Sequence, residues 1–82
     1  MAVQKINRTV KRALDILQLI KDNDGVTLKE ISLLLKIPAS SVFDIVHTLR
    51  AEKFVEYTSS GAKAFSIGVR AFEVGSAYRR LN

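Results

Sequence analysis

The most abundant reactive groups in this sequence are cationic side chains. Thirteen Lys and Arg residues outnumber eight Asp and Glu residues, which gives a formal net charge of +5 at pH 7. A basic field of this kind attracts phosphate groups, as in nucleic acids. Because 48% of the 82 residues are hydrophobic, the chain is not a disordered basic tail. The composition therefore predicts one small folded domain with a basic surface.

The sequence offers little for catalysis or metal binding. It contains no Cys and a single His, His47, which excludes a thiol nucleophile, a disulfide framework and the usual zinc ligand sets. The carboxylates are dispersed and no glycine-rich phosphate loop accompanies them, so no arrangement for acid–base or nucleophilic catalysis is present. We expect a protein that is not an enzyme and uses no cofactor or metal.

Small polar and aromatic residues follow the only proline, Pro38. In this segment apolar residues repeat at intervals of three and four, the period of one helix face: Val42, Ile45, Val46 and Leu49. The outer face then carries Ala39, Ser40, Ser41, Phe43, Asp44 and His47. A major groove about 12 Å wide admits one helix, and side chains near its N-terminal end reach base edges. The alternative is an amphipathic helix of a small bundle whose polar side faces water.

Two further helices precede this segment. The first has its predicted N-cap at Thr9, and apolar residues then recur at the spacing of one helix face. Residues 21–25 favour a turn and end this helix. That face comprises Val10, Ala13, Leu14, Leu17 and Ile20, widened by Ile16 and Leu19. Thr27 and Glu30 have the spacing of a capping box, which predicts a second helix from Leu28 to about Lys36.

The turn between the second and third helices is short. Pro38 disfavours helical geometry at the preceding Ile37, and the third helix runs from the small residues after Pro38, which offer polar caps, to about Lys53. Ile31 and Ile37 are expected to point inward, with Val42 and Ile45 anchoring the third helix. Two short helices joined by about three residues and packed on a third form a helix-turn-helix.

A β-hairpin and a fourth helix complete the predicted order. Residues 54–58 are rich in strand formers, residues 59–61 favour a turn and residues 64–67 alternate again, which predicts a wing at about 54–67. After Gly68, apolar residues recur at helical spacing as far as Leu81. The predicted fold is mainly α with a small β-hairpin: a winged helix-turn-helix with a three-helix core, a wing hairpin and a C-terminal linker helix. Its parts are a basic N-terminal arm at residues 1–8, the winged domain at 9–68 with the helix-turn-helix at about 28–47, and a linker or dimerisation helix at 69–82.

Other candidate DNA contacts lie outside the third helix. Arg8 ends the basic arm, which can lie along phosphate. Lys36 occupies a turn that favours positive φ, and a phosphate contact would offset strain of about 1 kcal/mol or more. Lys63, beside the wing turn, either reaches the flanking backbone or minor groove or stays solvated. Thr27 completes this set of candidates.

Residues of the outer face have competing roles. Asp44 either accepts a hydrogen bond from cytosine N4 or pairs within the protein, for example with a basic residue of the arm. Phe43 either touches a thymine methyl group or packs against the wing. His47 either contacts phosphate when protonated or is a neutral surface residue. The hydroxyls of Ser40 and Ser41, with the first helical amides, are alternative phosphate ligands.

Several short motifs, taken in order, resemble a known family. They are Thr9-Val10 with Arg12-Ala13-Leu14 and Ile16-Leu17, then Thr27-Leu28-Lys29-Glu30-Ile31, Ile37-Pro38-Ala39-Ser40-Ser41-Val42, and Phe65-Ser66-Ile67-Gly68. Over about residues 9–82 they are similar to the N-terminal DNA-binding domain of the IclR family of transcriptional regulators. The resemblance implies a winged helix-turn-helix regulator whose third helix enters the major groove and whose last helix leads to a separate ligand-sensing domain. The sequence departs from the family pattern at Asp44, where a basic residue is frequent, and at Lys36, where Gly is frequent.

These observations predict sequence-specific binding of double-stranded DNA by the DNA-binding domain of a longer transcriptional regulator. The fourth helix carries more apolar surface than a small domain buries, on Ala71, Val74, Tyr78 and Leu81. We therefore expect a homodimer or higher oligomer through this helix, and a pseudo-palindromic operator. A small-molecule effector would act only on the separate domain.

No apolar run approaches the roughly 18 residues of a membrane span, so we expect no membrane partner and a cytoplasmic location. The alternative is a winged-helix module for protein interaction or dimerisation with little DNA specificity.

Overall fold

The computed structural model describes residues 4–58 and 63–78 of the chain. Its elements in chain order are α1 (Arg8–Asp22), β1 (Val26–Thr27), α2 (Leu28–Leu35), α3 (Ala39–Ala51), β2 (Val55–Tyr57), β3 (Ala64–Ile67) and α4 (Val69–Gly75). Three helices, the two hairpin strands and a short final helix confirm the predicted winged helix-turn-helix. The turn predicted at residues 59–61 lies outside the described residues.

The sheet contains one strand that the sequence analysis missed. β3 pairs antiparallel with both β1 and β2, so the strand order is β1-β3-β2. Phe65 on β3 lies between Val26 of β1 and Tyr57 of β2. Gly25, at φ 89°, leads the chain into β1 and donates its N–H to the Phe65 carbonyl at 2.9 Å. A strand of two residues is too short to show an alternating pattern, but its pairing fixes the wing beside the start of α2.

The core lies between the first three helices and the sheet. Its most deeply buried side chains are Ile16 and Ile20 of α1, Ile31 of α2, Val42 and Val46 of α3, and Val55 of β2. The inward positions predicted for the helix-turn-helix are confirmed, since Ile31, Ile37, Val42 and Ile45 are all buried. This packing anchors α3 and leaves its opposite side at the surface.

The buried face of α1 differs from the prediction. Val10 and Leu14, both expected on the buried face, are 55% and 59% exposed, whereas Ile16 is fully buried. Apolar residues occupy more than half of the circumference of α1, so helical spacing alone does not choose among them. The positions of α3 and the sheet select the face that contains Ile16 and Ile20.

The helix starts also refine the prediction. The expected N-cap at Thr9 is wrong: Asn7 caps α1, and its side-chain oxygen accepts a hydrogen bond from the Val10 amide at 3.0 Å. Arg8 is therefore the first helical residue rather than the end of an extended arm. The capping box of α2 is confirmed, because Thr27 Oγ1 accepts from the Glu30 amide at 3.2 Å and the Thr27 amide donates to the Glu30 carboxylate at 2.8 Å.

The fourth helix is shorter than predicted. α4 ends at Gly75 and residues 76–77 form a turn, whereas the sequence pattern continues to Leu81, which lies outside the described residues. Tyr78, expected on the same helix face as Val74, follows this turn instead. The start of α4 lies close to the chain after α3, since a Cβ at Gly68 would stand 2.4 Å from the Lys53 carbonyl oxygen. No helix within residues 4–58 and 63–78 is long and apolar enough to cross a bilayer.

Candidate nucleic-acid interface

The turn between α2 and α3 sets the direction of the candidate recognition helix. Lys36 has the left-handed conformation, with φ 56° and ψ 46°, and its amide donates to the Ser32 carbonyl. Ser32 Oγ in turn donates to the Ile37 carbonyl at 2.6 Å. The expected positive φ at Lys36 is confirmed. Because Ile37 is buried and Lys36 exposed, the turn is anchored from within while a cation remains at the surface.

The first turn of α3 has no side-chain cap. Pro38 occupies the N-cap position without a capping hydrogen bond, and the first turn contains no acidic residue. This corrects the expectation that a small polar residue caps the helix, since Ser40 and Ser41 lie inside the first turn. The first amides of a helix have no intrahelical acceptor, and here they lie beside the exposed Ala39 and Ser40. The helix dipole favours an anion at this point.

Phe43 and His47 lie one helical turn apart on the exposed side of α3. Their rings are stacked, with centroids 6.0 Å apart and an interplanar angle of 13°. Phe43 is 57% exposed. Both residues border a shallow hollow whose far side is formed by Tyr57 and Phe65 of the wing. The hollow therefore separates the candidate reading face from the sheet.

Asp44 points to a different side of α3 from Phe43. It borders a shallow hollow with Thr9 and Val10 of α1 and Thr48 of α3. Within residues 4–58 and 63–78 the ion pairs are Lys11–Asp15 and Lys21–Asp22, so the exposed Asp44 carboxylate has no cationic partner there. Its backbone carbonyl accepts from Thr48 Oγ1 at 3.0 Å. Pairing of Asp44 with Arg8 or another described basic residue is not observed.

The remaining candidates are placed around α3 rather than on it. Arg8 is exposed at the start of α1, and Lys63 is exposed immediately before β3. Thr27 is half-buried, and its hydroxyl oxygen already accepts a hydrogen bond in the capping box. The structure thus groups Ala39, Ser40, Phe43 and His47 along one exposed stripe, with Lys36 before it.

Sequence reasoning missed two residues at the junction of α3 with the wing. The Arg50 guanidinium carbon lies 4.1 Å from the centroid of the Tyr57 ring. Tyr57 stacks in turn on Phe65, with centroids 5.2 Å apart and an interplanar angle of 23°. One signal was available, because Arg50 follows Phe43 and His47 at the helical spacing of four and three residues. The contact with Tyr57 depends on the fold of the wing and has no local signal.

Titratable clusters that could bind a metal are lacking in the described ranges, where no group of three or more His, Asp or Glu side chains converges. The pKa of Asp22 is lowered, mainly because Lys21 donates a hydrogen bond to its carboxylate. This exposed pair lies at the C-terminal end of α1, away from the stripe on α3. The chemistry of the candidate face is therefore that of hydrogen-bond donors, cations and aromatic rings.

Comparison with known proteins gives concordant matches. The family model described as the IclR helix-turn-helix domain matches residues 9–59. The HTH-type transcriptional regulator BhcR of Paracoccus denitrificans is 41% identical over 73 residues, which are 89% of this chain and 26% of that protein. The HTH-type transcriptional repressor AllR of Escherichia coli K12 is 36% identical over 76 residues, 92% of this chain and 28% of that protein. The chain thus spans about a quarter of the length of these curated relatives.

Solved structures share the fold. An IclR transcriptional regulator from Alicyclobacillus acidocaldarius superposes with a TM-score of 0.79 at 24% identity, over 88% of this chain and 29% of that chain. HmgR of Pseudomonas aeruginosa superposes with a TM-score of 0.73 at 28% identity, over 87% of this chain and 29% of that chain. The family model covers more than half of the residues of this chain. The chain therefore belongs to the IclR family, through a winged helix-turn-helix domain.

Proposed function

We propose that this domain binds double-stranded DNA sequence-specifically, as the DNA-binding part of a transcriptional regulator. The observation that carries the proposal is the start of α3, which is exposed, lacks a side-chain cap and follows a turn that places Lys36 at the surface. The net charge of +5 supports attraction to phosphate. Curated relatives of the same family are named as a transcriptional regulator and a transcriptional repressor.

In the proposed complex, α3 enters the major groove with its first two turns against the base edges. Phe43 would contact a thymine methyl group and Asp44 would accept a hydrogen bond from cytosine N4, a type of contact that discriminates bases by about 1 to 3 kcal/mol. An exposed carboxylate without a cationic partner among the described residues supports this role for Asp44. Ala39, Ser40, Ser41 and His47 complete the reading face, where the serines and the first amides also bind phosphate.

Cations around α3 would fix the register of the protein on the duplex. Arg8 is exposed at the start of α1, Lys36 is exposed in the turn between α2 and α3, and Lys63 is exposed immediately before β3 of the wing. Contacts of this kind bind phosphate without reading the base sequence. Each phosphate that a Lys or Arg neutralises releases counterions from the DNA. Thr27 stays in the proposed set as a backbone contact at the start of α2.

We further infer that two copies pair through the region of α4. Val69, Phe72 and Val74 are 55%, 72% and 58% exposed on this short helix, an apolar surface that a second copy would cover. A two-fold pair places its recognition helices about 34 Å apart and reads a pseudo-palindromic site. A regulator that acts on DNA in this way would work in the cytoplasm.

Selection of bound duplexes from a random-sequence DNA library at two salt concentrations tests the proposal. We expect the enriched pool to contain an inverted repeat, and binding to weaken steeply as salt rises. Salt-sensitive binding without enrichment would contradict sequence reading, because it would mean that only the backbone is held. Absence of binding would overturn DNA recognition altogether and favour a protein-interaction module.

A further inference from the structure

Three side chains form a layered stack where α3 meets the wing. The innermost ring, Phe65, is 4% exposed and belongs to the core. Tyr57 stacks on it and is 46% exposed, and the Arg50 guanidinium carbon lies over the Tyr57 ring, 4.1 Å from its centroid. A cation is therefore held at the surface by a column of rings that is anchored in the core.

This arrangement fixes Arg50 while leaving its hydrogen-bonding edge open. A guanidinium above a ring contacts it through its flat face, whereas its five N–H donors point outward in the guanidinium plane. Arg50 and Glu56 border a second hollow, together with Val55 and Tyr57 of the wing, yet the described ion pairs of residues 4–58 and 63–78 do not include Arg50. Arg50 thus has a restricted position and donors with no carboxylate partner in that part of the chain.

The position of Arg50 along α3 indicates what those donors reach. Phe43, His47 and Arg50 lie on one side of the helix, and Arg50 is nine residues beyond Ser41. At 1.5 Å per residue, this is about 13 Å along the helix axis, close to the width of about 12 Å of a major groove. If the first turn of α3 lies over base edges, Arg50 lies at the border of the groove, where the sugar–phosphate backbone runs.

We propose that Arg50 binds a backbone phosphate of DNA at the junction of α3 and the wing, and that Tyr57 is a positioning residue that holds the guanidinium in place. This inference rests on the proposed DNA-binding function and adds Arg50 and Tyr57 to the residues that the sequence analysis selected. Phosphate is the ligand because its oxygens match the planar donor edge of Arg.

Four variants of the whole chain test the proposal: Arg50→Gln, Tyr57→Phe, Tyr57→Leu and the double variant Arg50→Gln/Tyr57→Leu. The probe is a mixed-sequence duplex of about 20 base pairs, two helical turns, and affinity is measured by fluorescence anisotropy over a range of salt concentrations. We expect Arg50→Gln to weaken binding about tenfold and to reduce the slope of log affinity against log salt by about 0.9. An unchanged slope would overturn the phosphate contact.

The Tyr57 variants separate positioning from a direct contact. Tyr57→Leu should weaken binding about two- to fivefold with little change of slope, because the phosphate contact still forms but Arg50 is no longer held in advance. Tyr57→Phe should bind like the original chain, since it keeps the ring. The double variant should bind no more weakly than Arg50→Gln. Additive losses, or a loss in Tyr57→Phe, would overturn the positioning role.

Two controls keep this test separate from the proposed function and from folding. Tyr57 is half exposed, and thermal unfolding followed by circular dichroism checks that each variant is folded. If the original chain itself shows no salt-dependent binding, the proposed function fails. If the original chain binds and Arg50→Gln binds identically, the function stands and only the role of Arg50 and Tyr57 is overturned.

Discussion

The starts of α2 at Leu28 and α3 at Ala39 belong to one helix-turn-helix, yet the first turn of α2 is capped by side chains and that of α3 is not. In α2, the Thr27 side chain accepts from the Glu30 amide, and the Glu30 carboxylate accepts from the Thr27 amide. In α3, Pro38 provides no side-chain cap and no acidic residue is present in the first turn. The helix that supports the fold is capped by its own side chains, and the helix proposed to bind DNA leaves its amides for an anion.

The same contrast appears in the turn that joins the two helices. A left-handed residue after a helix is usually Gly, because a Cβ strains this conformation. Here the position is occupied by Lys36 at φ 56°. The start of α2 is thus stabilised by its capping box, whereas the left-handed Lys36 before α3 is strained. Strain of this kind is typical of surfaces that bind a ligand. The predictions below test this contrast.

The largest effect is expected when the start of α3 is given its own anion. Ser40→Asp adds a carboxylate to the first turn, which should stabilise the helix by about 0.5 kcal/mol through the dipole. DNA affinity should fall by about 2 kcal/mol, about thirtyfold, because the carboxylate replaces and repels phosphate. Fluorescence anisotropy with a mixed-sequence duplex and thermal unfolding measure the two quantities.

Gln18→Glu provides the matched control for this change. Gln18 is exposed on α1, far along the sequence from α3. Because each variant adds one carboxylate, the two have the same net charge, but Gln18→Glu leaves the first turn of α3 intact. We expect its affinity to fall only slightly. Equal losses in the two variants would mean that overall charge, rather than the start of α3, governs binding.

The next largest effect concerns Asp44, the only acidic residue of α3. Asp44→Arg should tighten binding to mixed-sequence DNA by about 1.5 kcal/mol and change the preferred sequence, since a carboxylate that accepts from cytosine is replaced by a donor for guanine. Filter binding and repeated selection measure these changes. Asp24→Arg, at an exposed position in the loop after α1, makes the same change in charge and should leave the preferred sequence as it was. Unchanged affinity and preference in Asp44→Arg would contradict the proposed base contact.

A smaller effect is expected at the start of α2, and it should appear in stability. Thr27→Ala removes the cap and should lower the free energy of unfolding by about 1 kcal/mol. Urea unfolding monitored by circular dichroism gives this quantity. Thr48→Ala, in the interior of α3, removes a hydroxyl of the same kind without removing a cap, so its stability should be close to that of the original chain. If Thr48→Ala lowered the free energy of unfolding as much as Thr27→Ala, the capping role of Thr27 would be contradicted.

The smallest effect is expected at Lys36. Lys36→Gly relieves the left-handed strain, and after allowance for the greater backbone entropy of Gly the net gain in stability should be about 0.5 kcal/mol. The loss of one phosphate contact should reduce the salt slope of DNA binding by about 0.9. Lys53→Gly is the matched control, because Lys53 has φ 66° at the other end of α3. It should gain similar stability with an unchanged slope, and a reduced slope in both variants would contradict the specific role of Lys36.

Several features of the fold could be predicted because their causes are local. The capping box of Thr27 and Glu30, the interruption at Pro38 and the left-handed turn at Lys36 each depend on a few neighbouring residues. The buried positions of Ile31 and Val42 follow from helical spacing combined with the known geometry of a helix-turn-helix. Resemblance to the IclR family was also available from the order of short motifs, and the family match confirms it.

The features that the sequence did not predict depend on packing between residues far apart in the chain. β1 exists because Val26 and Thr27 pair with Phe65 and Ala64, residues far along the chain. The choice of Ile16 over Leu14 for burial depends on which elements pack against α1. The stack of Arg50, Tyr57 and Phe65 joins a helix to two strands. Sequence patterns report the preferences of neighbouring residues, whereas these contacts form only after the chain has folded the wing against α3, and the tertiary structure alone determines them.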